Sequence, residues 1–153
     1  MYTKEEASKR RQAFWTTFGQ YMSPVLSASG LKTNWINYKT GEPNIFFKMD
    51  ADNRSARIAL LLTHPDTGIQ ELYYEQLLEL KNMLHGVQNE EWDWNPLTKD
   101  DAGKTVSMVS KTITGVNVLQ EQDWPALISF FKPRIIALDE FWDMVKHGFE
   151  ALR

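Results

Sequence analysis

Between Met49 and His64 the chain reads MDADNRSARIALLLTH, which sets Asp50, Asp52 and Asn53 ahead of Arg54 and Arg57 and ends an apolar run on a histidine. Carboxylates, an amide oxygen and an imidazole are the side chains that hold a divalent cation, so a metal or nuclease centre is the first chemistry to test. A magnesium site of the restriction-endonuclease-like kind needs an acid on one central strand and an acid-x-lysine on its neighbour. The following strand, ARIALLLTH, carries neither a carboxylate nor a lysine. A calcium loop fails on its fifth and sixth positions, Arg54 and Ser55, where an Asp or Asn and a Gly are required. A site shared by Asp50 and His64 fails on distance, because the strand from Ser55 to His64 separates them by about 30 Å at 3.4 Å per residue. Asp52 and Asn53 are then turn formers that tolerate positive φ and bond their own backbone, and no metal site is expected.

That turn implies a register. With ADNR as the connection, Ile45 pairs with Leu60, Phe47 with Ile58 and Met49 with Ala56, all on one face, and Asp50 faces Ser55. On the other face Lys48 stands opposite Arg57. Carried back through TGEP to a strand over Thr33 to Lys39, the register pairs Ile36 with Phe47 and Trp35 with Lys48. Trp35, Lys48 and Arg57 side by side would be a platform for an anion or a nucleic-acid single strand, combining a stacking ring with phosphate-binding charge. The plainer alternative is that long basic stems cover a solvent-facing sheet.

Other polar groups point to less. Glu71, Glu75 and Glu79 repeat at i, i+4 with no histidine between them and read as the solvated face of a helix. SKRR, Ser8 to Arg11, reads as a charged helix face, and His85 and His147 fall near helix ends without a placeable carboxylate. There is no G-x-S-x-G, Gly-rich phosphate loop or H-E-x-x-H, and no cysteine. No catalytic residue and no cofactor is expected.

The elements that position these groups follow from periodicity. Lys4 to Met22 forms a helix with Phe14, Trp15, Phe18, Tyr21 and Met22 on one stripe, stopped by Pro24. Three strands follow as a meander, Thr33–Lys39, Asn44–Asp50 and Ser55–Thr63. A helix then starts on a capping box of Thr67 and Gln70, keeps Ile69, Leu72, Tyr73, Leu77, Leu80, Met83 and Leu84 in register, and ends on Gly86. EEWDWNPL and KTVSMVSKTI make a second hairpin, with Pro96 on an edge or at a bulge. The last segment alternates spacings of four and three through Trp124, Ile128, Phe131, Ile135, Leu138, Trp142, Val145, Phe149 and Leu152, as one helix capped by Asp123 and bent at Pro133. At about 29 residues it spans roughly 43 Å, more than the roughly 38 Å breadth of a compact domain of this size. It either bends across the sheet as a core helix, or part of its stripe, Trp142, Val145, Phe149 and Leu152, forms a homodimer seam.

With 153 residues, one domain over residues 1–153 can bury its own core without disulfides or metal. No apolar run approaches the roughly 20 residues of a membrane span, and MYTKEEASKRR has no hydrophobic segment behind its charges. A cytoplasmic protein is expected. A net charge of −3 argues against nucleic-acid binding through bulk charge.

Two blocks, FWTTFGQYMSPVLSASGLKTNWINYKTG and DWPALISFFKPRIIALDEFWDMVK, resemble an uncharacterised bacterial family, domain of unknown function 4268, over about Arg11 to Leu152. The resemblance carries no activity or site residues. Longer members of that family are often joined to nuclease-like or DNA-defence modules, which implies a nucleic-acid-associated accessory role. The expectation is an α+β domain in the order α-βββ-α-ββ-α, a mainly antiparallel sheet packed against helices. Its expected role is a non-catalytic interaction or accessory module, with self-association or a protein partner first, nucleic acid second and an enzyme third.

Overall fold

The computed structural model of the chain describes residues 2–153. Helix α1, Lys4–Met22, begins at Thr3, whose hydroxyl accepts the Glu6 amide at 3.1 Å, and buries Phe14, Phe18 and Met22 at successive i+4 steps. Tyr21, expected on the same stripe, is half-exposed and lies under the Lys132 ammonium at 4.8 Å. Strands β1, Ile45–Ala51, and β2, Ser55–Leu62, form the first hairpin; β3, Asp93–Lys99, and β4, Thr105–Thr114, form the second. They make one four-stranded sheet in the order β1-β2-β4-β3, every neighbouring pair antiparallel. Helices α2, Thr67–Glu79, and α3, Lys81–Gln88, lie between the hairpins in sequence, and α4, Trp124–Val145, with the short α5, His147–Glu150, ends the fold.

The inner face of the sheet sends Ile45, Phe47, Ile58, Leu60, Leu62 and Val109 into one core with α1 and α4. Phe131, Ile135, Leu138 and Trp142 answer from α4, with Phe47 and Trp142 edge to face at 6.2 Å. Each such side chain contributes about 1.5–3 kcal/mol on full burial, which fixes the long helix across the sheet.

The blocks of helix and strand follow the expected order, and the long C-terminal helix is present. Within the blocks several elements differ. Thr33–Lys39 is not a strand: Trp35 turns inward, its Nε1–H donating to the Val25 carbonyl at 3.0 Å, and Asn34 Oδ1 takes the Asn37 amide at 3.1 Å. The segment meets its hydrogen bonds locally, so it is an irregular packing loop with the hydrophobic alternation of a strand. Helix α2 starts one residue earlier than the capping box, on Asp66, whose carboxylate accepts from Gly68 and Ile69 at 2.9 and 3.1 Å. Gly86 lies inside α3, and the left-handed terminator is Asn89, φ 55°. Asp123 accepts the Asn117 amide at 2.9 Å and makes no side-chain bond to the start of α4. Helix α4 continues through Pro133 but stops at Lys146, so its 22 residues span about 33 Å and fit the domain.

Candidate functional site

The sheet has two edges, and they are built differently. At β1 the ladder is fixed at both ends, by the Thr63 amide on the Asn44 carbonyl at 2.9 Å and the Asp52 amide on the Ser55 carbonyl at 3.0 Å. Antiparallel alternation then gives the amides of Phe46, Lys48 and Asp50 to β2 and turns those of Phe47, Met49 and Ala51 outward. Among the described residues no other strand pairs with β1. A groove of about 510 Å³ runs along this edge, lined by Trp15, Ile36, Tyr38, Phe46, Met49 and Leu61 among others. Phe46 is 47% exposed at its rim, flanked by exposed Lys39 and Lys48.

The other wall of the groove is the irregular loop over residues 33–39. Its anchor is Asp139 of α4, a buried carboxylate that accepts the Tyr38 hydroxyl at 2.6 Å on Oδ1 and the Ala28 amide at 2.7 Å on Oδ2. Burial, then the hydrogen bond and charge of Asp139, then the charge of Asp143 push the Tyr38 phenol far above its ordinary value and hold it protonated. The Tyr38 ring stacks on Phe47 at 4.8 Å. Trp142 Nε1–H donates to the Thr40 carbonyl at 2.7 Å, and the Thr40 hydroxyl donates to the Ile45 carbonyl at 2.8 Å, closing the start of the edge. Gly19 of α1 lets Ile36 approach so closely that a Cβ there would meet Ile36 Cδ1 at 2.9 Å.

At β3 the edge is broken. The register slips between Asn95 and Thr98, over Pro96 and Leu97. Pro96 has no amide to offer, Leu97 has φ 48°, and the Leu97 amide turns inward to the Ser107 hydroxyl at 3.0 Å. The Ser107 hydroxyl donates in turn to Gln70 Oε1 at 2.7 Å, while Gln70 Nε2 donates to the carbonyls of His64 and Thr105 at 3.0 and 3.1 Å. Gln70 is fully buried. The sequence marks Gln70 only as the capping-box partner of Thr67; its place as a buried hub leaves no sequence signal, because glutamine is ordinarily a surface residue.

The expected basic platform does not assemble. Trp35 is buried, 3% exposed, in the core beside Tyr38, away from the outer face. The β1–β2 register is offset by two residues from the expected one, so Lys48 faces Ala59 and Arg57 faces Asp50. The turn falls one residue later than expected, on Asn53 and Arg54, with Asp52 paired to Ser55; Asp52 Oδ1 accepts the amides of Arg54 and Ser55, both at 2.8 Å. Those backbone bonds, foremost that of Arg54, hold the Asp52 carboxyl below its usual value. Lys48 and Arg57 do share the outer face, in a cleft of about 220 Å³ that also takes in Lys99, Asp50, Asp100 and Asp101. Three cations and three carboxylates cancel there, and Lys48 already lies 3.9 Å from Asp50.

The expected dimer seam is interior packing. Trp142, Val145 and Phe149 are buried at 2%, 7% and 0%, and Leu152 packs partly buried against the same core. Regular spacing marks burial equally well against the chain's own sheet and against a second helix. Glu71, Glu75 and Glu79 are exposed, as a solvated face requires. His64 accepts the Asp66 amide at 3.0 Å, His85 Nε2 takes the Trp94 indole N–H at 3.2 Å, and His147 contacts Glu150 at 3.0 Å. The paired acid and base Glu90 and Arg134, joined by two hydrogen bonds of 2.8 Å, tie α3's exit to α4. Among the described residues no group of three His, Asp or Glu is placed to hold a metal, and no helix is long and apolar enough to cross a membrane.

Fold and edge together define an α+β domain with an antiparallel sheet open along one side. A family model, domain of unknown function DUF4268, matches residues 10–146, and the chain belongs to that family. No curated protein and no solved structure matches the chain.

Proposed function

We propose that this domain is a non-catalytic protein-interaction module that binds an extended polypeptide along β1. The observation that carries the reading is the row of outward amides and carbonyls at Phe47, Met49 and Ala51, unpaired among the described residues and bordered by an apolar groove. An added strand would gain main-chain hydrogen bonds from this row and side-chain contact from Trp15, Ile36 and Phe46. The unbroken edge, partly exposed at Met49 and Ala51, is the kind that proteins ordinarily blunt, as this chain blunts β3. A nucleic-acid accessory role loses its stacking ring, with Trp35 in the core, and its net positive charge.

Selection of peptides from a random displayed library, followed by amide chemical-shift mapping on the full chain, tests the reading. Peptides of extended character that shift Phe47, Met49 and Ala51, and that no longer bind Met49→Pro, are expected. A library that yields no binder, or binders that shift only residues away from β1, would sink it.

A further inference from the structure

Which strand β1 takes is constrained by its own charges. The outer side of β1 carries Lys48 and Asp50 two residues apart, and the inner side carries Phe47, Met49 and Ala51. Because the outward amides belong to odd-numbered residues, a β1 from another copy, run antiparallel, must pair odd residues with odd. A two-fold axis at Lys48 would set Lys48 against Lys48, and one at Asp50 would set Asp50 against Asp50. An axis at Met49 places each Lys48 opposite the Asp50 of the second copy and each Phe47 beside an Ala51. It is the register that pairs opposite charges without bringing like charges together.

We propose that the occupant of the β1 edge is the β1 edge of a second copy of this chain, antiparallel about a two-fold axis at Met49, an inference that rests on the strand-binding reading above. The two sheets then join into one continuous antiparallel sheet. Across the joint the charges alternate, Arg57 and Asp50 of one copy followed by Lys48 of the other, since Arg57 already faces Asp50 on β2. Such an interface is isologous, as a two-fold dimer requires. Burying the open edge of each copy against the other also removes the unpaired row from solvent.

Sedimentation velocity over a concentration series reads the association, using the full chain and its Lys48→Asp and Asp50→Lys variants. Wild type is expected to pass from monomer to dimer. Each variant alone puts two like-charge pairs into the joint and weakens the dimer by about tenfold or more. In an equal mixture one variant presents acid at both positions and the other presents base at both. Every facing pair of the mixed dimer is then again of opposite charge, and association returns. A chain without cysteine permits a second readout that does not depend on charge. Lys48→Cys mixed with Asp50→Cys places the two thiols at a non-hydrogen-bonded pair about 4.5 Å apart between Cα atoms, within disulfide reach. The mixture is expected to cross-link on mild oxidation, and either variant alone is not. Wild type that stays monomeric, a dimer indifferent to both charge reversals, or no cross-link in the cysteine mixture overturns the inference. A monomer that still binds selected peptides along β1 overturns the second copy as occupant and leaves strand binding standing. Loss of peptide binding as well removes both.

Discussion

Strands β1 and β3 are the two edges of one sheet, exposed to the same solvent, yet β3 has a proline, a left-handed Leu97 and a register slip where β1 has an unbroken run of seven residues. Each edge is also tied to a helix by a buried polar group. At β3 the tie is Gln70 through Ser107 to the Leu97 amide, which turns a would-be edge donor inward. At β1 it is Asp139 through Tyr38, which holds a loop beside the edge and leaves the edge donors free. Edge protection is thus local to one strand. The unprotected strand is the one with the apolar groove, which is the reason for reading it as a binding surface.

Breaking the β3 tie should have the largest effect. Gln70→Leu keeps the volume but leaves the Ser107 hydroxyl without its acceptor and the carbonyls of His64 and Thr105 without their Gln70 donor, an expected loss of about 3–4 kcal/mol in urea unfolding. Faster exchange of the Leu97 amide should accompany it. Asp139→Ala, the β1 counterpart, strands the Tyr38 hydroxyl and the Ala28 amide and should cost about 2–3 kcal/mol. Its pH signature has a definite sign. The Tyr38 phenol is raised in the folded state above the unfolded value of about 10, so its contribution is whole below pH 10 and is lost as pH rises towards the folded value. Unfolding midpoints of wild type should therefore fall above pH 10 more steeply than those of Tyr38→Phe.

The comparison sharpens when one edge is given the other's device. Met49→Pro removes an outward amide that no described residue uses, so stability should change by no more than about 1 kcal/mol while strand binding is abolished. In the reverse direction, Leu97→Gly relieves a positive φ at a residue 39% exposed and should stabilise by about 0.5–1 kcal/mol, seen as a higher denaturant midpoint. The smallest effect is expected at Gly19→Ala. A gain of about 1 kcal/mol in helix propensity is offset by displacement of Ile36, which leaves stability within about 0.5 kcal/mol but reshapes the groove wall.

Much of this architecture was legible in the residues. The stripes of α1 and α4, the alternation of β1, β2 and β4, and Pro96 as a mark of an edge or bulge all come from periodicity and from the chemistry of proline. The register was not, because shifting both partners of a hairpin by one residue preserves every face while changing each opposing pair. That offset separated Lys48 from Arg57, and the inward turn of Trp35 removed the third member of the platform. The seam on α4 failed for a related reason, since Trp142, Val145, Phe149 and Leu152 have the same spacing whether a sheet or a partner covers them. The open edge itself leaves no compositional mark. It follows only from the strand order, which sequence alternation does not contain.

Residue-resolved amide exchange on dilute and concentrated protein tests the difference between the two edges most directly. In dilute solution Phe46, Lys48 and Asp50 should be protected while Met49 and Ala51 exchange at close to unfolded-chain rates, and raising the concentration should slow those two and leave Trp94 and Lys99 of β3 unchanged. Protection of Met49 and Ala51 already in the dilute monomer, or a concentration-dependent slowing on β3 in place of β1, would contradict the assignment of β1 as the binding edge.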